Sequence, residues 1–106
     1  MVHRLVVSYG QPEDTAAFDA YYRDTHTPLA TSLPGLVRLT TGAPQAMDPS
    51  HATPYLVAEL DFESEKEMGA AFSSSEGKAA ADDIANFATG GATMTHYEVR
   101  EIHASR

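Results

Sequence analysis

The sequence predicts an α+β domain built as strand, helix, strand, strand, helix, strand. Three observations predict it. Four short stretches read as strands, with apolar residues at period two in His3 to Tyr9 and Tyr55 to Phe62, two longer segments carry them at three- and four-residue spacing, and Gly, Pro and Ser clusters separate the two kinds. A chain of 106 residues, 42% hydrophobic, supplies one compact core, so a single domain over residues 1–106 is expected.

The first strand is expected from His3 to Tyr9, around Leu5, Val6 and Val7, and ends at the turn cluster Gly10, Gln11, Pro12. Pro12, Glu13 and Asp14 then suit a helix N-terminus, where a missing N–H costs nothing and carboxylates meet the positive dipole end. Along this helix Phe18, Tyr22, Thr25, His26 and Leu29 share a face. Pro28 disfavours helical geometry at Thr27, so the helix is expected to end or kink just after His26. Pro34 and Gly35 break the chain, Leu36 to Thr41 forms a second strand, and Gly42 to Ser50 a loop.

A third strand, Tyr55 to Phe62, places Leu56, Ala58, Leu60 and Phe62 on one face and Tyr55, Val57, Glu59 and Asp61 on the other. Ser64 with Glu67 fits a capping box that opens the second helix, with Met68, Ala71 and Phe72 at helical spacing. Ser73, Ser74 and Ser75 interrupt it. The pattern resumes from Glu76 to Ala88, with Ile84, Phe87 and Ala88 on one side, and stops at Gly90 and Gly91. Thr93 to Ile102 is the fourth strand. Right-handed crossovers then give a ferredoxin-like β-α-β-β-α-β sandwich, an antiparallel four-stranded sheet in the order 4-1-3-2 with both helices on one face. The uncovered face carries apolar or aromatic groups of the first strand and, to a lesser degree, of the third and fourth. Pairing two such faces closes a barrel between subunits, so a homodimer with an enclosed pocket is expected.

The formal charge of −8 repels phosphate backbones and anionic lipid surfaces, so neither nucleic acid nor membrane is an expected partner. No run approaches the ~20 apolar residues of a membrane span, and the N-terminus passes straight into strand alternation without a cleavage site. A chain without cysteine offers no thiol nucleophile, disulfide or thiolate metal ligand and suits a reducing cytosol, so a cytoplasmic location is expected.

Phe18, Tyr21, Tyr22, His26, Pro28 and Leu29, followed by Pro34, Gly35 and Leu36, resemble the signature of the EthD family within the dimeric α+β barrel superfamily: an aromatic, a Tyr-aromatic pair, His-x-Pro-Leu, then Pro-Gly. The resemblance is close over the first third of the chain. It implies a ferredoxin-like dimer with a pocket in each subunit, in a family named for a protein required in ethyl tert-butyl ether degradation. The superfamily includes muconolactone isomerases, cofactor-free quinone-forming monooxygenases, polyketide cyclases and haem-dependent enzymes, so fold alone does not select a reaction. Relatives often carry tryptophan at the position of Tyr22.

His26 is the leading catalytic candidate, because imidazole exchanges a proton near neutral pH and the motif resembled fixes it. The competing reading is a structural histidine bonded to a backbone carbonyl beside Pro28. Tyr22 shares its face and would orient or hydrogen-bond a substrate; Tyr21, one helical step away, points elsewhere, to a possible subunit contact. Phe18, Tyr9, Tyr55, Glu59 and His96 are candidate substrate-binding residues, since a few polar tips in an apolar cavity make a small-molecule site. His3 and His96 lie on strands that should be neighbours, yet no short His spacing is present, and His51 and His103 fall in loop and tail, so no metal or cofactor is expected. Gly90 and Gly91 lack a phosphate-cradle pattern and the serine triplet lacks a nucleophile elbow. Three readings remain: a cofactor-independent isomerase, cyclase or monooxygenase-like enzyme acting on a small apolar or aromatic compound of a degradation or secondary-metabolism pathway; a non-catalytic binding or accessory protein for such a compound; and a dimer without a ligand. A polar pocket open to His26 favours the first, a wholly apolar cavity the second.

Overall fold

The computed structural model describes residues 1–105. Strand β1 (His3–Tyr9) lies at the middle of an antiparallel sheet ordered β2-β3-β1-β4, where β2 is Arg38–Gly42, β3 Leu56–Phe62 and β4 Ala92–Glu98. That is the expected strand order. β1 pairs along its whole length on both sides, with Leu5 opposite Leu60 of β3 and His96 of β4. A strand flanked on both edges is the one that most needs apolar residues, and here His3, Leu5, Val7 and Tyr9 are buried in strict alternation.

The register assigns every strand residue to one of two sides. Leu5, Val7 and Tyr9 pack with Ala58, Leu60 and Phe62 against Phe18, Leu33, Ala71, Ala80 and Phe87, which forms the core under the helices. The other side presents three cross-strand rows: Arg38, Asp61, Arg4 and Tyr97; Thr40, Glu59, Val6 and Thr95; Gly42, Val57, Ser8 and Thr93. Val6, Val57 and Tyr97 aside, that face is polar, which differs from the apolar face expected. Arg4 clasps Asp61 through two hydrogen bonds of 2.7 and 3.0 Å, and this guanidinium, with Arg38 beside it, holds the Asp61 carboxyl below its ordinary range despite burial.

The first helical segment differs from its sequence expectation. Helix α1 (Thr15–Tyr21) starts at Asp14, whose carboxylate caps the Ala17 N–H at 3.0 Å, and it neither ends nor breaks at Pro28. One π turn, Tyr22–His26, leads directly into α2 (Thr27–Thr31). The Thr27 N–H reaches the carbonyl of Tyr22, five residues back, and the Thr27 hydroxyl bonds the same oxygen at 2.8 Å. A regular α-helix would drive the Pro28 ring into the carbonyl four residues back; widening the preceding turn relieves that clash without ending the helix. His26 therefore lies inside a continuous helical segment rather than at its end.

Ser64 caps α3 (Glu65–Ser73) by accepting from the Glu67 N–H at 3.1 Å, which is one half of the expected box. The serine triplet acts through Ser74 alone, whose extended backbone ends α3 and whose hydroxyl caps Gly77 of α4 (Ser75–Asp83) at 3.0 Å. A 3₁₀ turn, Ile84–Asn86, extends α4. β4 stops at Glu98, short of Ile102, which is almost fully exposed and has no apolar surface to pack on. β2 likewise begins two residues later than expected, at Arg38.

Gly77 sits where α4 turns back on α3, and a Cβ there would strike the Ala71 carbonyl and the Phe72 backbone. Neither obstacle is a flexible side chain. Gly77→Ala is expected to destabilise the protein by about 1–3 kcal/mol, measured by urea unfolding, despite alanine's better helix propensity.

Candidate functional site

A cavity of about 60 Å³ lies between the sheet and the helices, walled mainly by aliphatic side chains of β1, β3, α2 and α4. Three of its lining residues carry polar tips: Tyr9 from β1, and Tyr22 and His26 from the two ends of the π turn. The widened turn sets the last two on the same side, with ring centroids 5.4 Å apart.

His26 is buried, and its partner is a carboxylate rather than the backbone carbonyl considered from sequence. Nδ1 lies 2.9 Å from Oδ2 of Asp83, the last residue of α4. Asp83 is buried too, and its other oxygen accepts from the Tyr21 hydroxyl at 2.6 Å and the Asn86 amide at 3.0 Å. An unpaired ionised carboxylate would cost several kcal/mol here. Burial alone pushes the Asp83 carboxyl up, but the bonds from Tyr21, Asn86 and His26 outweigh it and hold the group below its ordinary value of 3.8. Asp83 is thus ionised and can only accept, so Nδ1 of His26 carries the shared hydrogen.

That leaves Nε2, which has no hydrogen-bond partner among the described residues. The Tyr9 and Tyr22 hydroxyls have none either, while no fully buried side-chain nitrogen or oxygen among the described residues lacks one. All three atoms are therefore accessible, on residues that line the cavity. Burial pushes the Tyr22 phenol up to about 12 and raises that of Tyr9 further, the latter helped by Tyr22 and Asp83, so both remain neutral donors at neutral pH.

The other sequence candidates are placed differently. Phe18 is buried behind the cavity, stacked 5.9 Å from Tyr22 and edge-on to Tyr9, and so orients the lining rings. Tyr55 turns outward and donates to Asp19 of α1 at 2.8 Å. Glu59 lies on the uncovered sheet face beside Val57 and Thr40, outside the cavity. His96 pairs with His3 at 2.8 Å near the sheet end. Tyr21, expected to point away, reaches around Phe87, with rings 5.3 Å apart, to serve Asp83.

Asp83 is the residue that sequence reasoning missed. Its signal was present: it lies three residues after Ala80 and four before Phe87, so a carboxylate interrupts the inward stripe of the last helix. The cavity is smaller than the roughly 150 Å³ that holds benzene. An aromatic ligand would have to displace the wall at Tyr22 and Leu39, which also line a groove on the outer surface.

Residues 10–91 match the EthD domain family. A relative from Rhodococcus erythropolis, an uncharacterized 11.0 kDa protein of the thcB-thcC intergenic region, is 43% identical over 93 residues, covering 88% of this chain and 90% of its own. The crystal structure of an EthD family protein from Bacillus halodurans superposes with a TM-score of 0.87 at 31% identity, covering 94% of this chain and 100% of that one. A dimeric ferredoxin-like protein of unknown function from Thermobifida fusca shares the fold, with a TM-score of 0.69 at 15% identity over 93% of this chain and 92% of that one.

Because the folded Asp83 value lies below 3.8, its stabilisation is complete above that pH and is lost as pH falls through the folded value. In Asp83→Asn, urea unfolding at neutral pH should show a loss of about 1–3 kcal/mol and a shallower decline of stability below about pH 4 than in the parent protein. Identical pH slopes in the two proteins would contradict the assignment of an ionised, paired Asp83.

Proposed function

This chain belongs to the EthD family, and on that premise we propose that it takes up a small organic molecule between helices and sheet and moves a proton on it with His26, without a cofactor. The observation that carries this reading is the His26 ring itself, held by an ionised carboxylate on one nitrogen and left unpartnered on the other at a cavity wall.

Such a ring acts as a general base. Nε2 takes a proton from a carbon beside a carbonyl or from a phenolic oxygen, and Asp83 meets the charge that forms on the imidazolium. The neutral Tyr9 and Tyr22 hydroxyls donate to the oxyanion left on the substrate, in a space dry enough to strengthen both bonds. Return of the same proton to a different substrate atom completes an isomerisation or ring closure with no external oxidant. The aliphatic wall selects an apolar body, and Phe18 fixes the two tyrosine rings. A non-catalytic carrier or accessory protein is the second reading, supported by the small number of polar groups in that wall.

Quaternary structure belongs to the same proposal. Val6 and Val57 lie in adjacent rows near the middle of the uncovered sheet face, and the Arg4 and Asp61 charges are already paired there, so a second copy could cover the face without stranding them. A cytosolic setting fits a chain free of cysteine, and no helix among the described residues is long and apolar enough to cross a membrane.

Proton exchange into deuterated water, followed by NMR for a panel of small cyclic ketones and phenols, tests the catalytic step. A ligand whose carbon-bound protons exchange faster with the protein than with equimolar imidazole supports it, and His26→Gln should lower that rate by about 10²–10⁴-fold while leaving affinity nearly unchanged. Chemical-shift changes on binding with no accelerated exchange would favour the carrier. In sedimentation, the parent should run at twice its 11.4 kDa chain mass and Val57→Lys should shift it toward monomer; a monomeric parent would end the dimer proposal.

A further inference from the structure

At the sheet end where β1 begins, three segments bring metal-ligating side chains together. β3 ends at Phe62, directly opposite His3, so the following turn carries Glu65, first residue of α3, over the His3 ring. β4 brings His96 to the same side of the sheet, two register pairs along from His3. The two rings tilt toward each other with centroids 5.1 Å apart, and His3 Nε2 lies 2.8 Å from His96 Nδ1. One ligand atom from each of the three residues falls within 4.8 Å of the other two.

We propose that His3, His96 and Glu65 form a binding site for a divalent transition-metal ion of the zinc class, separate from the cavity of His26. Two imidazoles and one carboxylate are a donor set suited to zinc-like ions and poorly suited to magnesium or calcium. A tetrahedral site with bonds of about 2.0–2.1 Å needs ligand atoms about 3.3 Å apart. The imidazole nitrogens would open by a fraction of an ångström, and Glu65 would close the rest. It is free to do so, since it is exposed and its carboxylate bonds to nothing among the described residues. Glu63 and Glu98 line the same surface groove as His3 and Glu65, and Glu98 stands opposite His3 in the strand register. Their charges favour a cation, and either carboxylate or a water completes the coordination.

No short histidine spacing marks the site because its ligands come from three separate elements. A bound ion would fasten the edge strand β4 and the start of α3 to β1, and should therefore raise the melting temperature rather than alter chemistry at His26.

The test uses untagged protein freed of metal by chelation. Calorimetric titration with zinc chloride should show one equivalent bound with micromolar or tighter affinity, and cobalt(II) should develop the visible absorption of a tetrahedral site. His96→Ala and Glu65→Gln, both at exposed positions, should each weaken binding by about tenfold or more, with folding confirmed by circular dichroism. His51→Ala, which removes a surface histidine resting on Asp48, should leave binding intact. Absence of stoichiometric zinc binding, or binding that survives His96→Ala, would overturn the proposal.

Discussion

The arrangement of the helices over the sheet depends on one buried carboxylate. Asp83 closes α4 and receives Tyr21 from the end of α1, His26 from the end of the π turn and Asn86 from the turn after itself. The two helical segments of the crossovers are thus joined by hydrogen bonds as well as by the apolar contacts around Phe87. Removing any donor would leave a desolvated charge less well met, so the cluster resists sliding of one helix along the other. The cavity lies beside this fixed point, and its polar tips inherit that rigidity.

The π turn is the second constraint, and it depends on the first. A helix carrying Pro28 could end, bend or widen; packing of Ala30 and Leu33 on the sheet requires it to continue, and Asp83 requires His26 to point inward. Widening satisfies both. It also lets consecutive tyrosines contribute to one region, Tyr22 at the cavity wall and Tyr21 at the carboxylate behind it.

Local pattern made the element order and sheet order readable, because period two in β1 and β3 and the capping serines are signals contained in a few neighbouring residues. Pro28 announced an irregularity but not its form, since the choice between ending and widening is made by contacts with the sheet. Alternation along β3 grouped Glu59 with Val57 correctly, yet alternation cannot say which side the helices cover, and Glu59 proved to be on the bare side. His26 and Tyr22 were marked by the motif and do meet at the cavity. The partner of His26 was not marked, because Asp83 lies 57 residues away and only its place on an apolar stripe set it apart.

A π turn is equivalent to one residue inserted into an α-helix. Wound as a regular α-helix, the same residues would turn α1 by about 100° relative to α2. Phe18 would leave the sheet while Ala30 stayed on it. The extra residue is thus absorbed within the single turn 22–26, and the helical segments before and after it keep a common face on the sheet.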